Sequence, residues 1–439
     1  MKFYDREKEL EKLRRIEQQS HTNARFTIVT GRRRVGKSSL ILKACEGTRF
    51  AYLFVDRKSE QDLCEGFAEE VSSKLGLSIY PAPVKFEELF RKIMEYSLDH
   101  QITVVIDEFQ EFLKVNKSVF SAVQHYWDLY HDKAKINLIV SGSVYTLMQK
   151  IFLSRKASLY GRATSFFKIR PFRLEVMKQI LADHHPGYTK DDLLALWTFT
   201  GGVAKYIALL MDDGAVTKEK MIEKIVNEES LFIDEGKMVL AEEFDKEYGF
   251  YFSILSAIAQ GRNTRAEISQ ALGRECGGYL TRLERDYAII EKIRPLFAKA
   301  SAKGAHYRIN DRFFSFWFRF IFKYSYLLQV DGHDKLREII NRDYSVFSGY
   351  ALESYFHEKF IESGEWTRLG NWWDRKGENE IDLIAEDELN DRLVVVEVKR
   401  DRERIDLDAL RAKFAMFAKV SGKFKRANPD FIGLSLEDM

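Results

Sequence analysis

The sequence has few cysteines, almost no net charge and no long apolar run. Cys45, Cys64 and Cys276 are scattered without a C-x-x-C pair, which excludes a disulfide framework and a zinc site built mainly of cysteine. The net charge of +2 gives no global indication of nucleic-acid binding, so any basic surface must be local. No stretch of about 18 apolar residues is present, and a membrane-spanning helix is not expected.

The remaining composition is that of an ordinary globular protein. Apolar residues make up 45% of the sequence and charged residues 31%. The length of 439 residues is enough for two or three domains, each with its own core. The opening MKFYDREKELEKL is charged from its second residue and lacks the apolar centre of a signal peptide. We therefore expect a cytoplasmic protein that has no membrane partner.

Short apolar runs alternate with helical patterns in residues 1–172. The candidate strands are FTIVT (26–30), FAYLFVD (50–56), ITVVID (102–107), INLIVS (136–141) and SFFKI (165–169). This alternation predicts an α/β domain in which helices cover a parallel sheet.

Three further regions follow in the sequence. Residues 173–248 have mostly helical patterns, and residues 249–328 predict a winged helix followed by an aromatic helix packed in a core, FFSFWFRFIFKYSYLL (313–328). Residues 343–439 predict a small α/β domain with a helix, two strand-like runs and a last helix. The two strand-like runs are EIDLIAE (380–386) and RLVVVEVKR (392–400).

The stretch GRRRVGKSS directly follows the first strand and opens a helix. Gly31, Gly36, Lys37 and Ser38 satisfy the pattern G-x-x-x-x-G-K-[ST], which predicts a P-loop that binds the phosphates of ATP. Lys37 is expected to reach the β- and γ-phosphates, and the Ser38 hydroxyl is expected to bind Mg²⁺. The other predicted nucleotide-binding positions of the stretch are Arg32, Arg33, Arg34, Val35 and Ser39.

A second element of nucleotide chemistry lies about 70 residues later, in ITVVIDEFQEF. Four apolar residues lead into Asp107 and Glu108, which is a Walker B pattern. Asp107 is expected to hold Mg²⁺, and Glu108 is expected to polarise the attacking water. Because another candidate strand lies between the two motifs, we expect the Walker B strand not to neighbour the P-loop strand.

The motifs GRRRVGKSSLI, FYDREKEL, VVIDEFQEF, IVSGSVYTLM and SLYGRATSFFKIRPF together resemble the archaeal-type ATPase family. That family is a branch of the AAA+ and STAND-like P-loop ATPases that also occurs in bacteria. The resemblance implies a helical lid over residues 173–248, adenine binding near residues 3–10, and a γ-phosphate sensor at Ser141 or Ser143. It also implies that Arg162 is an arginine finger acting on a neighbouring subunit of a homo-oligomer. A surface salt bridge is the alternative interpretation of Arg162.

The predicted winged helix carries arginines that could contact the phosphates of DNA. These arginines are interrupted by acidic residues, and a winged helix of this class can instead pack as a structural or regulatory element. Both interpretations remain open. The arginines are Arg262, Arg265, Arg274, Arg282 and Arg285.

The tail contains a second constellation of chemical groups. Glu397 and Lys399 are two positions apart in a strand, which places both side chains on one face. If the strand that carries Asp382 pairs with it, Asp382 and Glu397 can share one hard divalent cation. Glu353, on the preceding helix, could complete the acidic site, and Lys399 could orient a water.

The run GENEIDLIAEDELNDRLVVVEVKRD resembles the PD-(D/E)xK nuclease superfamily, which implies a restriction-endonuclease-like fold using Mg²⁺ or Mn²⁺. A charged solvated hairpin and a folded but inactive nuclease-like module are the alternatives. Two functions follow. The first is an ATPase coupled to a metal-dependent nuclease that acts on DNA. The second is a nucleotide-dependent STAND-like switch or scaffold whose tail mediates protein contacts.

Overall fold

A computed structural model gives the fold of the chain. It describes residues 1–143, 145–244, 248–298, 304–424 and 428–439. Val144, inside the run IVSGSVYTLM, and positions 245–247, at the end of the predicted lid, lie outside these ranges. The chain divides into two compact units, Tyr4–Pro171 and Phe172–Met439, the second of which also includes Met1–Phe3.

The unit Tyr4–Pro171 is built on a five-stranded parallel sheet. Its strands are β1 (Arg25–Thr30), β2 (Phe50–Phe54), β3 (Ile102–Asp107), β4 (Ile136–Gly142) and β5 (Ser165–Lys168). Their order in the sheet is β2-β3-β4-β1-β5. The predicted parallel sheet is therefore confirmed, and β4 separates the Walker B strand from the P-loop strand as expected.

Helices cover both faces of this sheet. They are α1 (Glu7–Gln19), α2 (Lys37–Cys45), α3 (Glu60–Leu75), α4 (Phe86–Tyr96), α5 (Phe112–Val115), α6 (Ser118–Tyr130) and α7 (Tyr145–Phe152). Because successive strand residues face opposite ways, Val104 and Ile106 enter one apolar cluster while Val105 enters the other. Burial on both faces explains why β3 and β4 are nearly continuous apolar runs.

The second unit begins with helices and continues into the predicted winged helix. The first five helices are α8 (Leu174–His184), α9 (Lys190–Thr200), α10 (Ala204–Asp212), α11 (Lys218–Ile225) and α12 (Leu231–Phe244). The segment predicted as a winged helix contains α13 (Tyr248–Ala259), α14 (Arg265–Leu272), α15 (Gly277–Arg285), β6 (Ile290–Ile293) and β7 (His306–Ile309). Strands β6 and β7 pair antiparallel.

The aromatic segment is not one regular helix. It divides into α16 (Arg312–Phe316), a π-helical stretch (Trp317–Phe322) and α17 (Ser325–Gln329). Trp317, Phe318 and Phe320 are buried, so the expected core packing is present. The π-helical turn, which is wider than an α-helical turn, interrupts the uniform helix that the sequence pattern predicts.

A four-stranded sheet completes the second unit. A long helix, α18 (His333–Ser363), runs through the predicted domain start at 343 and is followed by β8 (Arg368–Trp373), β9 (Glu380–Asp387) and β10 (Arg392–Val398). Then come α19 (Leu407–Ser421) and β11 (Asp430–Leu434), and the sheet order is β11-β10-β9-β8. The pairs β8/β9 and β9/β10 are antiparallel, whereas β10/β11 is parallel.

The described part of the chain contains no helix both long and apolar enough to cross a bilayer.

Candidate functional site

The backbone of the predicted P-loop needs glycine at two positions. Gly36 caps the amino end of α2 with φ +97°, a conformation that residues with a Cβ rarely adopt. At Gly31 a Cβ would lie 2.5 Å from the carbonyl oxygen of Ile169, so the loop and the end of β5 approach too closely for any side chain. These two glycines shape a loop whose backbone can approach a phosphate.

Lys37 lies inside the loop that it belongs to. Its ammonium donates hydrogen bonds to the carbonyl oxygens of Gly31, at 3.0 Å, and Arg32, at 3.2 Å. Burial lowers the pKa of Lys37 below its usual value, although the nearby carboxylates of Glu108 and Asp107 oppose the shift. A buried cation held by carbonyl dipoles is well suited to exchange them for phosphate oxygens.

Ser38 and Asp107 come together at the carboxyl edge of the sheet. The Ser38 hydroxyl donates a 2.8 Å hydrogen bond to Asp107 Oδ2, and Ser141 and Tyr52 also donate hydrogen bonds to this carboxylate. Burial alone would raise the pKa of Asp107, but these hydrogen bonds outweigh it and the pKa is lowered. An ionised carboxylate beside a serine hydroxyl offers the hard oxygen ligands that suit Mg²⁺.

Glu108 follows directly in a left-handed backbone conformation, with φ +53°. Its Oε2 accepts a hydrogen bond from Ser143 Oγ at 2.8 Å and another from the amide of Gln110. The two predicted sensor serines therefore have different partners, because Ser141 contacts Asp107 and Ser143 contacts Glu108. The strained backbone and two donors fix the direction of the Glu108 carboxylate.

The other predicted P-loop positions differ in exposure. Val35 is buried under the loop, whereas Ser39 and Arg34 are exposed. Arg32 and Arg33 are half-buried. Arg34 has φ +69°, so it lies at the sharpest bend of the loop.

Arg162 forms an ion pair within its own unit. Its guanidinium contacts both carboxylate oxygens of Asp128, at 2.9 and 3.2 Å. This pairing lowers the pKa of Asp128. The contact is the surface salt bridge that the sequence left as the alternative to an arginine finger.

The pairing of β9 with β10 brings together the acidic residues of the tail. Lys399 Nζ lies 3.5 Å from Asp382 Oδ2 and 3.6 Å from Glu397 Oε1. The backbone N–H of Val398 donates a 2.7 Å hydrogen bond to Asp382, and Lys413 Nζ lies 3.1 Å from Glu397 Oε1. We call Asp382, Glu397 and Glu353 the acidic cluster.

The pKa values of two members of the acidic cluster are raised. Burial, with the neighbouring charges of Asp382 and Glu380, raises the pKa of Glu353 to about 8. Burial likewise raises the pKa of Asp382, against the opposing effect of Lys399. A shared cation would relieve this repulsion, although the described residues include no group of three or more His, Cys, Asp or Glu side chains already arranged to hold a metal.

The arginines of the winged helix are largely on the surface. Arg265 pairs with Glu275 at 2.8 Å, and the Arg274 guanidinium stacks on the rings of Phe250 and Tyr279. The remaining three are exposed: Arg262, Arg282 and Arg285. Arg265 and Arg274 are thus engaged in contacts within the predicted winged helix.

Three residues next to the two sites were not identified from the sequence. Tyr52 and Gln110 contact the Walker B acids, and Lys413 contacts Glu397. Tyr52 and Lys413 come from other elements of the fold, and only tertiary contacts show their proximity. Gln110 is two positions from Glu108, but no motif distinguishes it from other loop amides.

Comparison with known proteins agrees with this geometry. Residues 3–210 match the family described as "ATPase domain predominantly from Archaea", and residues 317–409 match the family described as "Archaea bacterial proteins of unknown function". The uncharacterized protein MJECL04 of Methanocaldococcus jannaschii is 31% identical over 425 residues, which are 93% of this chain and 91% of that protein.

A solved structure shows the same fold at low identity. The Walker-type ATPase of Pyrococcus abyssi has a TM-score of 0.53 at 20% identity, covering 72% of this chain and 96% of that one. The ORC2 protein of Aeropyrum pernix, solved as ADPNP and ADP complexes, has a TM-score of 0.49 at 13% identity, and the match covers 77% of this chain and 95% of that one. On the family matches and the 31% identical relative, which matches over 93% of this chain, the chain belongs to the archaeal-type ATPase family, with the carboxyl-terminal domain of unknown function that its second match describes.

Proposed function

We propose that the protein binds and hydrolyses Mg²⁺·ATP at the P-loop and couples this to a metal-dependent nuclease-like domain that acts on DNA. The pairing of β9 with β10 is the observation that supports the second half of this proposal most directly. It brings Asp382, Glu397 and Lys399 to one place, which was the condition for a shared cation.

At the nucleotide site, each role is assigned by position. Lys37 would bind the β- and γ-phosphates, and Ser38 and Asp107 would hold Mg²⁺, which supplies charge neutralisation on the phosphates. Glu108 would accept a proton from the attacking water, since Ser143 and Gln110 aim its carboxylate. Mg²⁺ fits here because a low-pKa carboxylate already faces a serine hydroxyl.

At the acidic cluster, Asp382 and Glu397 would hold Mg²⁺ or Mn²⁺, with Glu353 able to add a third carboxylate. The metal would supply Lewis-acid activation of a phosphodiester and a bound water. Lys399, now paired with both acids, would be released to orient that water or to neutralise charge on the phosphate. The raised pKa of Glu353 supports the proposal, since a cation would take the place of its proton.

A nucleotide-dependent switch or scaffold is the second candidate. It is favoured by the two lysines, Lys399 and Lys413, that already neutralise Glu397. In that case the tail is an inactive module that contacts other proteins.

Arg162 would act as an arginine finger on a neighbouring subunit of a homo-oligomer only if its ion pair with Asp128 opens. Location in the cytoplasm remains part of the proposal.

A cleavage assay separates the two candidates. Supercoiled plasmid, single-stranded DNA and RNA are incubated with wild-type protein, ATP and either Mg²⁺ or Mn²⁺. Lys399→Ala is the test variant, and Lys419→Ala, an exposed lysine on α19, is the matched control. The proposal requires cleavage by wild type and Lys419→Ala and its loss in Lys399→Ala. If wild type leaves every substrate intact, the switch is the better description.

A further inference from the structure

Arg312 is a half-buried cation without a hydrogen-bonded or ion-pair partner among the described residues. It is the first residue of α16, directly after β7, and the described part of the chain offers its guanidinium no hydrogen bond or ion pair. Burial lowers the pKa of Arg312 to about 10, so it still carries its charge at neutral pH. Withdrawing a charge from water without giving it a partner is unfavourable for folding.

The fold holds Arg312 closely in this position. Its Cβ lies 3.1 Å from the point that a Cβ on Gly201 would occupy. Gly201 ends α9 with φ +55°, so both its backbone conformation and this close approach favour glycine. The side chain of Arg312 is therefore fixed at its base, although its charged end is unpaired.

A second arginine and the acidic cluster lie beside it. Arg308, on β7, is paired across the strands with Glu291 at 2.6 Å. The charges that act on Arg312 are those of Arg308, Glu291, Asp311 and Glu353. Glu353 in turn interacts electrostatically with Asp382, Lys399 and Arg308, so its charge acts both on the two arginines and on the proposed metal site.

The strand pair β6/β7 is joined to the small sheet around this point. The backbone N–H of Leu296 donates a 2.8 Å hydrogen bond to Asn371 O, and the ring of His306 stacks on Trp373 with centroids 4.2 Å apart. Leu296 and Phe297 pack against the core of the small sheet. These contacts fix the arginines of β7 and α16 relative to the acidic cluster.

We propose that Arg312, with Arg308 beside it, binds a phosphate group of the nucleic-acid backbone next to the acidic cluster. The inference rests on the proposed nuclease-like function and adds how the substrate is held. A guanidinium fork matches a phosphate in geometry and charge. An adjacent phosphate would neutralise Arg312 and place the neighbouring phosphodiester near Asp382, Glu397 and Lys399. Both arginines are positioning residues in this account.

Binding and stability are measured separately from cleavage. Affinity for fluorescein-labelled single-stranded and duplex DNA is determined by anisotropy over a range of salt, with Ca²⁺ in place of Mg²⁺. Arg312→Gln and Arg308→Gln are the test variants, and Arg285→Gln, at the exposed end of α15, is the control. We expect Arg312→Gln to weaken binding at least about tenfold and to reduce the slope of log affinity against log salt by about 0.7–0.9. Arg308→Gln should also weaken DNA binding, and Arg285→Gln should leave DNA binding nearly unchanged.

Thermal unfolding without DNA tests a structural role. Removing an unpaired, half-buried charge should leave the unfolding midpoint of Arg312→Gln unchanged or higher. A clearly lower midpoint, or wild-type DNA affinity in both Arg312→Gln and Arg308→Gln, would overturn the proposal. Stabilisation by inorganic phosphate that needs Arg312, without any change in DNA affinity, would also overturn it and would assign the site to free phosphate.

The outcome is distinguishable from that of the nuclease proposal. Arginine-dependent DNA binding without Mg²⁺-dependent cleavage would retain this site and reject the nuclease. If DNA is cleaved but its affinity does not depend on the two arginines, the nuclease is retained and the arginine site is rejected.

Discussion

The hydroxyl of Ser38 donates a 2.8 Å hydrogen bond to the carboxylate of Asp107, which lies 69 positions later in the chain. This bond joins the amino end of α2 to the carboxyl end of β3. Because both elements belong to the same sheet-based unit, the two proposed Mg²⁺ ligands lie next to each other. Binding of Mg²⁺·ATP would require Lys37 and Asp107 to exchange their hydrogen-bond partners for phosphate oxygens and metal.

Replacing Lys37 with alanine should abolish ATP binding. The substitution removes the one ammonium that lies within the loop, where it now contacts the carbonyl oxygens of Gly31 and Arg32. We expect the dissociation constant for ATP, measured by titration calorimetry, to rise at least about a hundredfold, or about 2.7 kcal/mol. Lys43→Ala, further along α2, is the matched control and should bind normally. Wild-type affinity in Lys37→Ala would exclude this loop as the nucleotide site.

Glu108→Gln should bind ATP but not turn it over. The amide keeps the shape of the side chain and can still interact with Ser143 and Gln110, yet it cannot accept a proton from water. Phosphate release should fall about a hundredfold or more, with little change in ATP affinity. Glu111→Gln, which alters an acid paired with Arg57, should retain turnover. Hydrolysis at the wild-type rate by Glu108→Gln would show that another group acts as the base.

Tyr52→Phe should raise the Mg²⁺ concentration needed for ATP hydrolysis. The lost hydroxyl is one of the three side-chain donors that orient Asp107, and losing a partner of a metal ligand typically costs about tenfold in metal affinity. ATP binding in EDTA should not change. Tyr80→Phe, on a residue that is 94% exposed, is the control. An unchanged Mg²⁺ dependence would mean that Ser38 and Ser141 suffice to orient Asp107.

Acid should weaken the second unit through two half-buried histidines. Burial lowers the pKa of His306 and of His357, so both are kept neutral in the folded state. Their contribution to stability is complete above the unfolded pKa of about 6.5 and is lost as the pH falls below it. Each histidine can contribute a slope of at most about 1.4 kcal/mol per pH unit.

Urea unfolding followed by tryptophan fluorescence at pH 7.5 and 5.5 tests this directly. His306→Phe keeps a ring to stack on Trp373 but cannot be protonated, so the pH dependence of its unfolding free energy should be shallower than that of wild type. If the unfolding free energy of His306→Phe depends on pH as steeply as that of wild type, His306 does not change its protonation when the protein unfolds in this pH range.

Much of the nucleotide site was predictable because it depends on local sequence. A strand followed by a glycine loop and a helix brings Gly31, Gly36, Lys37 and Ser38 together without any distant contact. The position of Asp107 at the end of a buried strand was predictable for a related reason, since parallel strands end at one edge. The sequence did not predict the order of the five strands: β2, which lies between the two motifs in the sequence, is at the edge of the sheet, and β4 separates β3 from β1.

The rest depended on tertiary contacts that a sequence pattern does not contain. β8 contains Gly370 and Asn371 among its six residues, and β11 is only partly buried, so neither has the apolar run that marked β9 and β10. Tyr52 reaches Asp107 from β2, and its role follows only from the pairing of β2 with β3. Likewise, nothing in the sequence around Arg312 distinguishes an unpaired arginine from one that has a partner.

The coupling of ATP to the acidic cluster is the central claim, and the rate of DNA cleavage under defined nucleotide states tests it most directly. Single-turnover cleavage is measured with Mg²⁺ in the presence of ATP, of ADP and of neither, for wild type, Glu108→Gln and Lys37→Ala. We predict that the wild-type rate differs between ATP and ADP, that Glu108→Gln keeps the rate of the ATP state, and that Lys37→Ala does not respond to nucleotide. Equal wild-type rates under all three conditions, or no cleavage under any of them, would contradict the account.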